Sequence, residues 1–433
     1  MHIADNKSAG GIMQAIFSPA IALLNRISYT KKFTLLWLVS LVAISVVVYS
    51  LFVSLDRVIQ PSQRELEGIA LIKPIFRAVQ FIQQHRVLSA ELLGGNEAMR
   101  DRLAAKEKEA AEAFDAMEGK LPPSLASSES FRHIKTNWER LRKEGLGWTM
   151  AGNLAAHTGL IDQIWSFEVA AADEYALTLD QEIGTFYLID TAINKLPRAF
   201  EHLGQIRAYG TGILARRQIT EPQKIKLGAL IAELETALKE LKVNLDKTGR
   251  YNPALQSSIS ATFGSISDSA QQITDLVASD ILTGRFATPP DNFLEIATVA
   301  IDNGYTQMYD SLLPTTEALI RARIARAENT LRVSVGTALL LFLAVVYLSV
   351  SIYYAIVGSI QSLARSARTF AGGDLNVRVK LGTRDELSLV GDSFNEMADG
   401  FNALLEARRE DEARLRATIE TAMDAVVQMD AEG

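Results

Sequence analysis

The sequence predicts an all-α membrane protein. Two transmembrane helices flank an elongated, double helical bundle, and a parallel coiled coil follows the second span. Three observations carry this expectation. Two runs without Asp, Glu, Lys or Arg, Phe33–Leu55 and Val333–Val357, are 23 and 25 residues long. Each is enough to cross a hydrocarbon core of about 30 Å at about 1.5 Å per residue. Between them, apolar residues recur at three- and four-residue spacing without strand-like alternation, as in Leu227, Leu230, Ile231, Leu234, Leu238, Leu241 and Leu245. After the second run the apolar residues fall on an a/d seam. Averages over the chain (48% apolar, 22% charged, net charge −7) hide this pattern.

Composition also excludes function classes. With no cysteine there are no disulfides, thiolate metal sites or cysteine nucleophiles. The charge balance is not basic, which argues against nucleic-acid binding.

Residues 1–32 form an N-terminal segment with Lys7, Arg26, Lys31 and Lys32 against the single acid Asp5. That bias keeps the N-terminus cytoplasmic. Within it, Ile12, Met13, Ile16, Phe17, Ile21 and Leu24 make a weak amphipathic pattern across residues 12–27, readable as a helix on the inner membrane face or as a tail. The first span, 33–55, exceeds the 7–15 residues of a signal core and no A-x-A site follows it, so it reads as a retained anchor. The second span, 333–357, is followed by Arg365 and Arg368, again a cytoplasmic flank. Residues 56–332 then lie outside the cytoplasm, in the periplasm of a bacterial inner membrane. A third span at Gly145–Ile161 is rejected as too short and too polar.

Breaks at Gly94-Gly95, Pro122-Pro123, Gly249 to Pro253 and Pro289-Pro290 punctuate 56–332. Four passes would need helices of about 65 residues, roughly 100 Å. Two stacked bundles of shorter helices fit the breaks better. An internal echo supports two modules: Gln84-His85-Arg86 and Gln205-Ile206-Arg207 each sit in an apolar-periodic helix with small residues downstream. A planar guanidinium beside small neighbours suits bidentate binding of a carboxylate or nitrate-like anion. Arg86 and Arg207 are therefore the candidate ligand residues, against the ordinary alternative of an interhelical ion pair or a solvated Arg.

Leu177, Leu179, Asp180, Phe186-Tyr187-Leu188-Ile189-Asp190, Leu196-Pro197, Leu203-Gly204 and Arg207 carry a resemblance. The segment resembles the extracytoplasmic helical-bundle sensors of bacterial chemoreceptors and sensor kinases, both nitrate-sensing and organic-acid-sensing. The first motif there is usually His-Arg-Gly-x-Ser, and here Val87 replaces the Gly. The resemblance implies a small anionic ligand, or a periplasmic binding protein, as partner.

Past the second span, Ile360, Leu363, Ala367 and Phe370 are spaced 3-4-3. Gly372-Gly373-Asp374-Leu375 stops the helix, Val377 and Val379 alternate, and Asp385-Glu386-Leu387 opens a second helix with acids at its positive end. There Val390, Phe394, Met397, Phe401 and Leu404 form a second seam. Neither seam can be buried by one chain, so a homodimer with a parallel four-helix bundle is expected. Gly373-Asp374-Leu375, Asp385-Glu386-Leu387 and Phe394-Asn395-x-Met397 make residues 358–406 similar to a HAMP relay domain, with Ser359 in place of the usual Pro and Ser388 in place of a Gly.

Residues 407–433 read as a linker helix, then a strand at Ala425–Asp430 and a turn. Ile419–Val426 resembles the start of a PAS domain, implying a truncated chain whose output domain is missing. That output could be a histidine kinase, a cyclic-di-GMP enzyme or a chemoreceptor tail. Within the chain no catalytic residue, cofactor or metal ligand set is expected: all five His precede the second span and no two lie at i, i+3 or i, i+4. The expectation is a transmembrane receptor relaying an external stimulus. The alternative is a membrane-anchored periplasmic scaffold without a signalling role.

Overall fold

The computed structural model describes residues 17–180 and 182–432, with side chains through residue 423. Every regular element among them is helical. The main helices are α1 (Tyr29–Leu93), α2 (Arg100–Glu118), α3 (Glu129–Glu144), α4 (Met150–Glu174), α5 (Ile183–Asp190), α6 (Leu196–Arg216), α7 (Glu221–Tyr251), α8 (Gln256–Leu276), α9 (Pro290–Gln307), α10 (Leu313–Ala371) and α11 (Glu386–Glu432). Ile12, Met13 and Ile16 of the amphipathic stretch lie outside the described residues, and residues 17–24 are helical. The chain divides into two compact units: Val53–Leu331, and the residues through Phe52 together with those from Arg332 onward.

The Val53–Leu331 unit holds two main apolar cores and a small third one of Leu88, Leu92 and Leu103, and α1 contributes to all three. Leu71, Ile75, Val79 and Ile82 join Phe114 and Met117 of α2, Phe131, Ile134 and Trp138 of α3, and Leu160, Ile164 and Phe167 of α4. Ile69, Ile72 and Phe76 join the larger core of α5 to α10, which includes Phe200, Leu203, Leu234, Leu241, Ile273, Phe293 and Tyr305. The two sets are offset around one helix at the same height. The bundles therefore sit side by side across α1 rather than stacked end to end. The arrangement follows from the helix period: residues at 69, 72 and 76 share one face, and those at 71, 75, 79 and 82 another.

The expected breaks hold. α1 ends before Gly94-Gly95, α7 ends at Tyr251 and α9 starts at Pro290. Ser128 and Thr149 cap α3 and α4 by accepting from Phe131 N and Gly152 N. Gly145–Ile161 starts with a short 3-10 turn and runs into α4, with Leu160 and Ile161 in the first core. Single π-helical turns at Thr191–Lys195 and Met308–Leu312 join α5 to α6 and α9 to α10 without a break, and a third, Val277–Ile281, ends α8.

In the other unit, the apolar stretches of α1 and α10 have mean hydropathies of 2.5 and 2.4, with 0% and 6% of the residues in those windows buried. A soluble core helix would have them covered; these are long and apolar enough to cross a membrane. Phe33 meets Tyr353 edge-on at 5.8 Å, and Thr30 and Tyr353 hydroxyls lie 3.1 Å apart.

The strand expected at Ala425–Asp430 does not form. α11 runs as helix to Glu432. A short apolar run has the same pattern in a helix or a strand. A strand also needs a neighbouring edge for its N–H and C=O groups, and no strand exists among the described residues.

At the end of the bundle nearest in sequence to both spans, Arg323 of α10 is almost wholly buried. It donates to Glu65 of α1 at 3.0 Å, to both oxygens of Asp180 at 2.8 and 2.9 Å, and to Thr185. Glu182 lies 3.4 Å away and also meets Arg326. Burial, then the neighbouring Asp180, raises the Glu65 carboxyl from 4.5 to about 7. Arg323→Met should lower stability by about 3–5 kcal/mol, because buried acids lose their partner. The Glu65 carboxyl is raised above its unfolded value. Its protonation therefore stabilises the fold fully below about pH 4.5, and this contribution is lost as pH rises through about 7. Thermal unfolding of the purified chain should show wild type losing ground to Glu65→Gln between pH 5 and pH 8 (pH values about).

Candidate functional site

Arg86 on α1 and Arg207 on α6 are each 1% exposed, and both lie where α1 meets α6. Arg86 Nη1 donates to Glu201 Oε1 at 2.7 Å and to Thr158 Oγ1 of α4 at 3.1 Å. Glu201, one turn before Gln205 on α6, also accepts from Gln83 Nε2 at 2.9 Å and Gln205 Nε2 at 3.0 Å. Gly204 makes this approach possible: a Cβ there would stand 2.8 Å from Arg86 Nη2. The small residue that admits Arg86 is thus on the facing helix. Val87, which replaces the Gly of the sensor motif, is simply buried.

Arg207 has a different environment. Nη1 donates to Thr298 Oγ1 of α9 at 3.0 Å, and Nη2 to the Gln83 carbonyl at 3.3 Å. Neither acceptor carries charge. Burial, with Arg86 adding repulsion, lowers its pKa to about 10. Gln83 ties the group together, since its side chain also accepts from the buried Tyr305 hydroxyl at 3.0 Å. Asp302 of α9 is engaged by Gln80 and Gln84. The group holds two buried guanidinium groups and the buried Glu201 carboxylate, with the half-buried Asp302 attracting Arg207 without pairing with it. The Nε atoms of Arg86 and Arg207 have no partner.

Behind Arg86, His85 Nδ1 and His157 Nε2 lie 2.9 Å apart, and His157 Nδ1 lies 2.9 Å from the Asn153 carbonyl. A carbonyl only accepts, so His157 carries its proton on Nδ1 and His85 donates to it. Burial pushes His85 down to about 4 and His157 to about 3, so both are neutral at ordinary pH. This neutral pair docks α1 on α4 without adding charge. Arg86 also lines a cavity of about 610 Å³ between α4 and α6, whose wall includes Arg216 and Lys226 against Asp162.

Phe370 meets Phe394 and Phe401 edge-on, each at 5.8 Å. Gly373 takes φ +103°, which ends α10, and Asp374 accepts from Asn376 N. The connector from Leu375 is laid on α11 by Asn395, which donates to the Val379 carbonyl at 2.9 Å and accepts from Val379 N at 2.8 Å. Asn402 donates to the Leu375 carbonyl at 2.9 Å. Glu386 opens α11, and Asp385 caps it by accepting from Leu387 N at 3.0 Å. Val390, Met397, Phe401 and Leu404 stay exposed, while Ile360 and Leu363 are half-exposed. Sequence reasoning had Asn395 only as part of the relay motif, without its connector role, and missed Asn402; their seven-residue spacing on the seam helix was the available signal.

A helical bundle built around a buried guanidinium that forms no ion pair, with helices that run on into two spans and a paired-seam relay, defines a transmembrane signalling receptor. A family model described as nitrate and nitrite sensing matches residues 77–313, more than half of the chain, so the chain belongs to that family. A model described as the HAMP domain matches residues 352–403, almost the expected stretch. No curated protein and no solved structure matches.

The two arginines should respond oppositely to removal of charge. Arg86→Leu leaves Glu201 buried without its cation and should cost about 3–5 kcal/mol. Arg207→Leu removes a charge that forms no ion pair and should cost less than about 1 kcal/mol or raise stability. Denaturant unfolding of the two variants without added anions checks this ordering.

Proposed function

We propose that the chain senses nitrate or nitrite outside the cytoplasm and relays occupancy through the HAMP domain. The observation that carries this reading is a buried guanidinium, Arg207, that forms no ion pair. Arg86 and Glu201 cancel, which leaves Arg207 as a cation without a carboxylate within salt-bridge distance. A buried unpaired charge is costly, and one monovalent planar anion relieves that cost. The free Nε of each arginine supports a planar oxyanion, which accepts paired N–H donors. The Arg86-lined cavity, with Arg216 and Lys226 on its wall, provides a cationic approach.

Arg207 reaches Thr298 on α9, which continues through the Met308–Leu312 turn into α10. α10 then runs unbroken from Leu313 to Ala371, through the second span to the relay. An anion that binds one packing of α1, α6 and α9 better than another shifts the balance between them. A second copy of the chain covers the exposed seam of α11, and the relay repacks as the paired helices shift. Basic residues before the first span and after the second support cytoplasmic termini, with an output module following the relay.

Nitrate and nitrite should bind the full chain in lipid nanodiscs and raise its thermal midpoint, by about 2.7 kcal/mol of stability at 100 times the Kd. Arg207→Leu should weaken binding at least about tenfold, the loss of one or more charge-assisted hydrogen bonds. Equal binding of acetate or formate, or binding untouched by Arg207→Leu, counts against the reading. Because the chain has no native cysteine, single Val390→Cys or Phe394→Cys variants crosslink only to a second copy. Symmetric crosslinks whose yield changes with nitrate are expected, and a yield indifferent to nitrate would sink the relay role.

A further inference from the structure

We infer that the cavity of about 550 Å³ between α4 and the start of α6 is a second ligand site, for a small zwitterionic amino acid, with Glu168 holding its ammonium group and Arg198 its carboxylate.

Glu168 is 1% exposed, forms no ion pair, and its Oε1 has no hydrogen-bond partner. The nearest charge acting on it is another acid, Asp173, and burial raises its carboxyl well above the ordinary value. A buried polar group left unused costs roughly 1–3 kcal/mol, and such groups in native proteins call for a reason. Packing gives none, since Leu or Gln would fill the same position. The indole N–H of Trp165, one helical turn earlier on α4, is also buried without an acceptor.

Both residues line the same cavity. Its wall carries a second acid, Asp162, and one exposed cation, Arg198. Acids and a base around one cavity complement a ligand with both charges: the ammonium group supplies the nearby cation that favours ionised Glu168 and meets it and Asp162, while the carboxylate meets Arg198 and the Trp165 N–H. Ile193 supplies an apolar wall and belongs to the π-helical turn Thr191–Lys195. Such turns recur at functional sites. The volume lies in the range of small-molecule sites and far exceeds an inorganic ion.

Glu201 lies on this wall too, and its carboxylate holds Arg86. The two sites therefore share one carboxylate, and occupancy of one changes the other reciprocally. The amino-acid site itself does not depend on the nitrate reading.

The test is calorimetric titration of the full chain in nanodiscs, without nitrate, with glycine, alanine, valine, their N-acetyl forms and their amides. The free amino acids should bind, and both kinds of blocked derivative should bind at least tenfold more weakly. Glu168→Gln should weaken alanine binding at least tenfold while the nitrate-induced rise in thermal midpoint persists. Arg198→Ala, at an exposed position that folding does not need, should weaken it similarly. No binding by any free amino acid overturns the proposal. So does equal binding of the N-acetyl forms, or affinity unchanged in both variants. Loss of the nitrate response alone leaves this site standing and removes the other.

Discussion

Everything in the sensor unit rests on α1 serving two cores at once. Ile69, Ile72 and Phe76 belong to one, and Leu71, Ile75, Val79 and Ile82 to the other. A helix covered on two sides keeps only a narrow solvated face, here at Gln63, Arg64, Glu67 and Arg77, so polar residues off that face must find partners inside. Gln83, His85 and Arg86 are buried for that reason. The neutral histidine pair takes one flank, against α4, and the arginine takes the other, against α6. The depth of Arg86 is a consequence of the shared helix that carries it between the two cores.

The two arginines at this junction are not equally paired. A buried ion pair contributes little net stability and mainly fixes geometry. Arg86 with Glu201 does that, holding α1 to α6 at 2.7 Å. Arg207 cannot be explained in this way. Its contacts are a hydroxyl and a backbone carbonyl, and its depressed pKa reflects desolvation and the neighbouring cation. Such a residue lowers stability where it stands. It makes sense as a group whose interaction is completed by something that comes and goes, and an anion is the chemistry it lacks.

Much of this was legible in the sequence, and the remainder has a physical reason for being hidden. The spans, the helix breaks at Gly and Pro pairs and the two a/d seams are local patterns. Arg86 and Arg207 were found through local repetition and their small neighbours. Glu201 was not found, because its partner is 115 residues away and nothing local marks an acid as buried. The ordinary alternative, an interhelical ion pair, holds for Arg86 and fails for Arg207. The shared helix was missed because apolar residues around a full helix do not say which neighbours divide them. The turn at Tyr175–Glu182 was missed because Ala176 takes φ +57° without a glycine. The strand reading at 425–430 failed because a short apolar run is ambiguous between two periodicities.

The Arg323 cluster limits what kind of motion can carry a signal. Arg323 joins α10 to α1 through Glu65, to the chain before α5 through Asp180, and to α5 itself through Thr185. Removing one partner of such a buried pair costs about 3–5 kcal/mol, whereas coupling between a ligand and a distant site is typically about 1–3 kcal/mol. Binding an anion therefore cannot open the cluster. The motion has to keep α1 and α10 joined at Arg323 and place the change at the α1, α6 and α9 contacts, where hydrogen bonds to Thr298 and Gln83 are weaker and exchangeable. Under the proposed relay, the joined pair moves as a unit against the remaining helices, and the seam of α11, which the single chain leaves exposed, is the surface that reads the displacement.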